Sequence, residues 1–376
     1  MIVPDSRWAW AEVDLGAVAC NVRTLKALTE PGTLFMAVVK ADGYGHGATE
    51  VARAALAAGA DRLGVATVEE ALALRAAGLT APLQLLSEPP AASAPALVEH
   101  SITPALFTHR FADALGGAAA AQGVVSPFHL KIDTGMNRVG VRAEDAADFV
   151  ESMAGLPALA MEGVFTHFAC ADVPGDWVQA QQLERFAEAV AEMRARGIRP
   201  GIVHASNSAA TILQPESHFG MVRCGIAMYG LHPAPSTHAL IELQPAMSVK
   251  ARVTRVARIA MGEGVSYGMT WHAASPTTVA TLPLGYADGV RRGLSNRMRV
   301  LIGGRECRQV GRICMDQLMV EAPRGATIAI GDEATVIGRE GSLETSMEEQ
   351  ATTLETIDYE VACGYGARLE RVYVGG

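Results

Sequence analysis

The chain has 376 residues, with 31 Lys+Arg against 40 Asp+Glu, a formal net charge of −9 and a 49% hydrophobic share. That length predicts two domains, or one large barrel with an appendage, and the apolar share excludes a disordered chain. The acidic balance argues against nucleic acid and anionic membrane surfaces as main partners, because both need a basic face.

The start, MIVPDSRWAWAEVDL, holds no long apolar stretch; Asp5, Arg7, Glu12 and Asp14 interrupt it, which argues against a signal peptide. No run approaches the roughly 18–20 apolar residues that a membrane helix requires. The six cysteines (Cys20, Cys170, Cys224, Cys307, Cys314, Cys363) include no C-x-x-C pair. They read as reduced thiols of a cytoplasmic protein, with neither a disulfide frame nor a metal site.

Short apolar runs alternate with alanine-rich amphipathic stretches over the first two-thirds of the chain. Strands are expected at 35–40, 62–67, 82–87, 102–107, 127–133, 160–167, 202–206 and 221–226. Helical spacing marks 48–58, 68–77, 144–154 and 177–196, and glycine closes several of these at 59, 78 and 155. Strand–helix alternation implies parallel strands with right-handed crossovers, and eight such strands close a (β/α)8 barrel. The fourth helix is the weakest element, since Pro89, Pro90 and Pro95 crowd its start. A doubly wound open sheet is the alternative, but no glycine-rich dinucleotide loop follows the first strand.

Past residue 235 the texture changes to short strand-like segments, including 247–259, 278–282, 299–302, 309–313, 327–330, 334–337 and 372–374, with few helical windows. The expected division is a barrel over 12–235 and a mainly-β domain made of 236–376 with 1–11. The strand-like WAWAEVD at 8–14 fits either domain.

A barrel's chemistry collects at the C-terminal ends of its strands. Here those ends carry Lys40, the run Asp133–Arg138, His167, the segment His204–Ser208, and Arg223 with Gly225. A lysine ending an apolar strand either reaches past it to water or stays as a partly desolvated amine able to form an imine with an aldehyde such as pyridoxal phosphate. Glycines at 43, 45 and 47 leave backbone room beside it, with Tyr44 placed to reach a phosphate. Phosphate in barrels commonly sits after strands seven and eight, where Ser208 and the amides of Gly225 and Ile226 fall. Ser208 as the N-cap of the next helix is an equal alternative.

The segments AVVKADGYGHG, LKIDTGMNRVG, FTHFACAD, HASNSAA, MVRCGIAMYG, VSYGMTW, LPLGYADG and VGRICMDQLMV occur in order along the chain. Together they resemble the alanine racemases, fold-type III pyridoxal-phosphate enzymes with a (β/α)8 barrel and a C-terminal β domain. The resemblance implies that Lys40 holds the cofactor and serves as the base on one face of the substrate carbon, with Tyr267 as the base on the other. Inversion needs both, because a proton leaves one face and arrives on the opposite one. A phenol with a pKa of about 10 needs a nearby positive charge to act as a phenolate, and His167 matches a histidine near that tyrosine. Without the motif, Tyr267 reads as an aromatic packed at a domain interface.

By the same resemblance Arg223 faces the pyridine nitrogen; a guanidinium donates a hydrogen bond there without giving up its proton. Tyr44, Ser208, Gly225 and Ile226 form the phosphate set. Arg138 and Met315 lie near the substrate carboxylate, with Tyr286 and Asp316 in neighbouring motifs. Lys131 is either an ordinary strand lysine or carbamylated, giving Arg138 an anionic partner. Ala367 stands where some members carry a phosphate-contacting tyrosine, and Tyr365, two residues away, is not assigned that contact.

The implied protein is a head-to-tail homodimer whose active sites are shared, Tyr267 and Met315 coming from the partner. Its implied task is L-alanine/D-alanine interconversion supplying D-alanine for peptidoglycan. The alternatives are a serine or broad-range racemase of the same fold and a fold-type III decarboxylase. A non-catalytic carrier barrel is weaker still, as it leaves the β domain without a purpose.

Overall fold

The computed structural model describes residues 7–156 and 158–376, so the first six residues of the expected 1–11 segment lie outside the described residues. Contacts divide the chain into two units, one of residues 18–43 with 48–244 and one of residues 1–17, 44–47 and 245–376.

The first unit is a parallel barrel. Its strands run in the order Leu83–Leu85, Arg62–Val65, Leu34–Val38, Met221–Cys224, Ile202–His204, Leu159–Phe165, Ser126–Asp133, Ala105–Leu106. A parallel bridge between Gln84 and Thr103 closes the ring, with Leu85 N donating to Thr103 O at 2.9 Å and Thr103 N to Leu83 O at 2.9 Å. The fourth expected strand shrinks to two ladder residues because Pro104, just before it, has no N–H to donate.

The barrel helices follow the signals in the sequence. Val68–Ala76 opens with a capping box: the Thr67 hydroxyl accepts from Glu70 N, and the Glu70 carboxylate accepts from Thr67 N. His109–Ala121 is capped by Thr108 and buries Phe111, Ala112, Leu115 and Ala119, the three-to-four spacing of one helical face. In the proline-crowded region the chain makes a 3-10 turn, Ala91–Ser93, and then a short helix, Ala94–Glu99. Pro95 falls in its first turn, where a missing N–H costs nothing.

The second unit is built on a ten-stranded sheet. Its N-terminal strand, Ala9–Asp14, lies between Met247–Arg252, which it meets antiparallel, and Glu370–Val374, which it meets parallel. The single strand expected over 247–259 is two strands, Met247–Arg252 and Arg255–Ile259. The break comes because Val253 N turns to Asp332 O while Thr254 N turns to Thr281 O. The expected strand at 309–313 ends instead at Gln309, since Gly311 adopts φ +73°, where a Cβ would lie 2.5 Å from Val265 O. No ladder forms at 327–330, and two helices, Met347–Leu354 and Asp358–Gly364, were not anticipated. The first carries a legible start, Ser346 accepting from Glu349 N.

No described helix is long and apolar enough to cross a membrane. Trp10 is fully buried at the middle of the N-terminal strand. Trp10→Ala is expected to destabilise the sheet unit by about 3–5 kcal/mol, the range for large aromatic truncations, read from urea unfolding.

Candidate active site

Lys40 lies two residues past the first barrel strand, Leu34–Val38, and is half-buried. The residues after it wind the wrong way: Ala41 (φ 52°, ψ 49°), Asp42 (φ 53°, ψ 48°) and Gly43 (φ 62°, ψ 43°) are left-handed, as is Tyr44 at φ 53°. Each L-residue in that region costs roughly 1–2 kcal/mol, so surrounding bonds must hold the turn. Glu70 supplies one, its Oε1 accepting from Ala41 N at 2.7 Å while its other oxygen caps its own helix. Asp42 supplies another by accepting from Ala48 N at 2.9 Å. Neither acidic residue stood out as functional in the sequence, although Thr67-x-x-Glu70 is a readable capping signal.

Arg223 lies inside the barrel, buried. Its Nη2 reaches Thr166 O at 2.9 Å, Ala205 O at 2.8 Å and His167 Nδ1 at 3.2 Å, and its Nη1 reaches His204 Nδ1 at 3.0 Å. All of these are neutral acceptors, so no carboxylate offsets its charge among them. Burial lowers Arg223 to about 10, which still leaves it cationic at neutral pH. His167 is driven well below the usual histidine range by burial and then by the charges of Arg223, Lys131, Arg138 and Lys40. A neutral His167 that accepts from Arg223 through Nδ1 carries its proton on Nε2.

Lys131 is buried on the same strand face as Asp133, donates to Ile132 O at 2.8 Å and lies 5.4 Å from the centre of the Phe165 ring. Burial, followed by the Arg223 charge, lowers it to about 7, with Asp133 opposing and Arg138 adding to the fall. Arg138 itself is exposed, on a turn that Asp133 ties by accepting from Gly135 N and Asn137 N at 3.0 Å. Gln182 on the long helix Trp177–Ala195, a residue the sequence gave no reason to single out, anchors the loop after His167. It accepts from Ala169 N and donates to His167 O.

Ser208 begins a helix, but Asn207 is its N-cap, accepting from Ala210 N at 3.0 Å. That frees the Ser208 hydroxyl, which accepts from Gly225 N at 2.9 Å and Ala227 N at 3.4 Å. Gly225, Ile226 and Ser208 therefore converge on one locus, with Ala227 as a fourth member the sequence reading lacked. The barrel thus gathers Lys131, Arg138, His167, Ser208, Arg223, Gly225 and Ile226, a cationic mouth in a protein of negative net charge. The buried Arg223, whose acceptors are all neutral, and clustered amides beside a hydroxyl fit a phosphorylated, acceptor-bearing ligand such as pyridoxal phosphate.

The remaining residues belong to the sheet unit. Tyr44 packs 6.2 Å from the ring of Tyr359, which the sequence reading missed. Tyr365 is fully buried with its hydroxyl on Gln350 Oε1 at 3.2 Å. The Tyr365 hydroxyl is thus engaged within the sheet unit.

Tyr267, Tyr286, Met315 and Asp316 lie on loops that bind one another. Ser266 Oγ donates to Arg312 O at 2.6 Å, Tyr286 N to Cys314 O at 3.0 Å, and Ala287 N to Met315 O at 3.1 Å. Gly285 is obligatory there, because a Cβ would meet Cys314 O and Met315 O at 2.3 Å. Ser266 holds φ 67°, ψ −175°, a region nearly reserved for glycine. The strain aims its neighbour outward: Tyr267 is 70% exposed, and Met269, Tyr286 and Met315 are exposed with it. Asp316 is exposed and paired with Arg368 at 2.7 Å.

Two family models match the chain, "Alanine racemase, N-terminal domain" over residues 13–233 and "Alanine racemase, C-terminal domain" over residues 246–373. An alanine racemase of Desulfovibrio desulfuricans is 46% identical over 373 residues, covering 99% of this chain and 100% of the relative. The solved alanine racemase of a D-cycloserine-producing Streptomyces lavendulae aligns with TM-score 0.92 and 40% identity, covering 98% of each chain. That of Bacillus anthracis with bound L-Ala-P aligns with TM-score 0.93 and 36% identity, covering 99% of this chain and 97% of that one.

Removing the Glu70 carboxylate takes a charge-assisted hydrogen bond worth about 1.5–3 kcal/mol from the left-handed turn. In Glu70→Ala the amides of the 41–44 turn are expected to exchange with solvent at least ~10-fold faster, together with those of the first turn of Val68–Ala76, which loses its capping box. Mass-spectrometric hydrogen exchange checks this.

Proposed function

The chain belongs to the alanine racemase family, and on that premise we propose how its own residues interconvert L-alanine and D-alanine. The supporting observation is the buried, carboxylate-free Arg223 in the barrel that carries Lys40, together with the exposed Tyr267 on the sheet unit. The cofactor is pyridoxal phosphate, which draws electron density from the Cα–H bond of a bound amino acid and so makes that proton removable.

Lys40, just past the end of the strand, is the residue that holds the cofactor. With the cofactor bound, the Lys40 amine would take or return the proton on one face of the substrate Cα. Tyr267 would do the same on the other face, with His167 as the histidine that the resemblance assigns to its neighbourhood. Arg223 would face the pyridine nitrogen of a bound cofactor; its cationic state at neutral pH keeps it a donor and never a proton source, which would favour simple proton return over side reactions. Ser208, Gly225 and Ile226 would hold the phosphate, with Tyr44 the further member that the resemblance implies. Arg138 and Met315 hold the substrate carboxylate, and Tyr286 and Asp316 shape its approach.

The exposure of Tyr267, Tyr286 and Met315 supports a homodimer in which these loops complete the site of a second copy. Such exposed apolar patches mark interfaces. A monomer would then lack one of its two bases.

Lys131, at about 7, presents an uncharged amine at and above neutral pH. That amine adds to carbon dioxide with loss of one proton, giving a carbamate anion able to pair with Arg138. Because the neutral fraction grows as pH rises through 7, the carbamate signal from 13C-labelled bicarbonate is expected to strengthen from pH 6 to pH 8 by about tenfold, and to vanish in Lys131→Ala. A spectrum without a carbamate carbon at pH 8 leaves Lys131 as a plain amine.

Lys40→Ala is expected to abolish the visible absorbance of the cofactor-bound protein and all alanine racemisation. Tyr267→Phe should keep the absorbance and slow proton transfer on one face by at least ~100-fold, seen as unequal solvent-deuterium entry into the two enantiomers. Equal rates in both directions at the unmodified level would remove Tyr267 from this role. Release of carbon dioxide from amino acids without racemisation would favour the decarboxylase.

A further inference from the structure

Four further polar groups continue from Arg223 down through the barrel. His204 Nδ1 lies 3.0 Å from Arg223 Nη1, His204 Nε2 lies 2.7 Å from His129 Nδ1, and His129 Nε2 lies 3.1 Å from Glu162 Oε2. Arg62, the first residue of its strand, grips both Glu162 oxygens at 3.0 and 2.6 Å. His129 and His204 are wholly buried, whereas the Glu162 side chain is one-third exposed. The line therefore runs from the site, near the C-terminal strand ends, towards the N-terminal ends.

Its direction is forced from both termini. An arginine can only donate, so His204 Nδ1 accepts. A neutral His204 then carries its proton on Nε2 and donates to His129 Nδ1. A neutral His129 must likewise carry its proton on Nε2, and it donates to Glu162. The other end demands the same answer. Burial alone would raise the Glu162 carboxyl, but the hydrogen bonds and charges of His129 and Arg62 outweigh it and hold it at about 2, an acceptor throughout the physiological range. Burial keeps both imidazoles neutral: it lowers His129 despite Glu162, and it takes His204 far below the histidine range.

Packing fixes the rings as well. Phe165 stacks on His204 with centroids 4.9 Å apart at 7°. Gly163 leaves the space His129 occupies, since a Cβ there would lie 2.5 Å from His129 Cε1 and 2.6 Å from its Nδ1. A glycine in a strand interior is otherwise a cost, and here it admits the imidazole.

We propose that Glu162, clamped by Arg62, is a positioning residue for racemisation: through His129 and His204 it fixes the tautomers that give Arg223 a single acceptor below it and one orientation above. The proposal rests on the reading that Arg223 faces the cofactor. A carboxylate that fixes an imidazole tautomer is a known device in triad enzymes, where its loss leaves geometry intact and rate impaired.

The test is 15N-histidine NMR of the holoenzyme and of the cofactor-free protein, alongside alanine kinetics. In the unaltered protein His129 and His204 are expected to show protonated Nε2 and unprotonated Nδ1. Glu162→Ala should convert His129 to a tautomer mixture and lower kcat about tenfold, the size of a one-unit change in basicity along the chain, with KM for alanine little changed. Glu162→Gln, whose amide offers an NH2 as well as an oxygen to His129, should also lose the single tautomer and stay impaired, as the amide does in triad enzymes. Gly163→Ala, which displaces His129 while removing no charge, should reproduce both changes. Unaltered tautomers or unaltered kcat in Glu162→Ala and Gly163→Ala, when folded, overturn the proposal. Arg223→Lys separates the underlying reading: unchanged cofactor absorbance and affinity in that variant would refute the placement of Arg223 at the cofactor, whatever the tautomers show.

Discussion

A guanidinium taken out of water needs an acceptor for nearly every proton, and much of this barrel is arranged around meeting that need for Arg223. Barrel interiors are ordinarily filled by layers of branched apolar side chains. Here Arg62, His129, Lys131, Glu162, His204 and Arg223 take those inward positions, and Phe165 is the flat apolar surface against which two of the cations rest. Neutral histidines offset the cost of burial without neutralising the charge. That keeps a positive mouth in a protein whose overall sign is negative, which phosphate and carboxylate both require.

Strain is concentrated at two places, and each adjoins a candidate base. The left-handed run Ala41–Tyr44 follows Lys40, and the glycine-like conformation of Ser266 precedes Tyr267. In both cases a hydrogen bond from outside the turn secures it: Glu70 on Ala41 N, and Ser266 Oγ on Arg312 O. The scaffold beneath Tyr267 is the small core of Val265, Val279, Val310 and Met319 with Trp271 against it. A base on a turn that cannot relax keeps its aim, and its cost is met by packing elsewhere.

The eight barrel strands were legible because parallel strands read as apolar runs ending in polar residues, and strand ends are where chemistry sits. Lys40, Lys131, His167, Ser208 and Arg223 were found that way or by motif. Glu162, Arg62 and Gly163 were not, because single polar residues early in a short strand look like ordinary surface positions; only the alternation His129, Lys131, Asp133 hinted at a polar lumen. Tyr44 read as part of the Lys40 loop, yet residues 44–47 pack with the sheet unit. The bonds responsible link Gly45 O to Arg371, 326 residues away, a distance no local pattern encodes. The break at Val253–Thr254 was hidden for the same reason: both flanks have strand-like composition, and only the choice of partners separates them.

The strand Ala9–Asp14 sits between Met247–Arg252 and Glu370–Val374, so the sheet joins segments made far apart in time. On the ribosome the barrel residues 18–43 and 48–244 emerge before either neighbour of this strand has been made. The strand must wait through synthesis of the barrel with both edges unpaired, an arrangement that exposes a nascent chain to wrong pairing. Its charged residues Glu12 and Asp14, which interrupt the apolar run, are suited to keeping those waiting edges soluble.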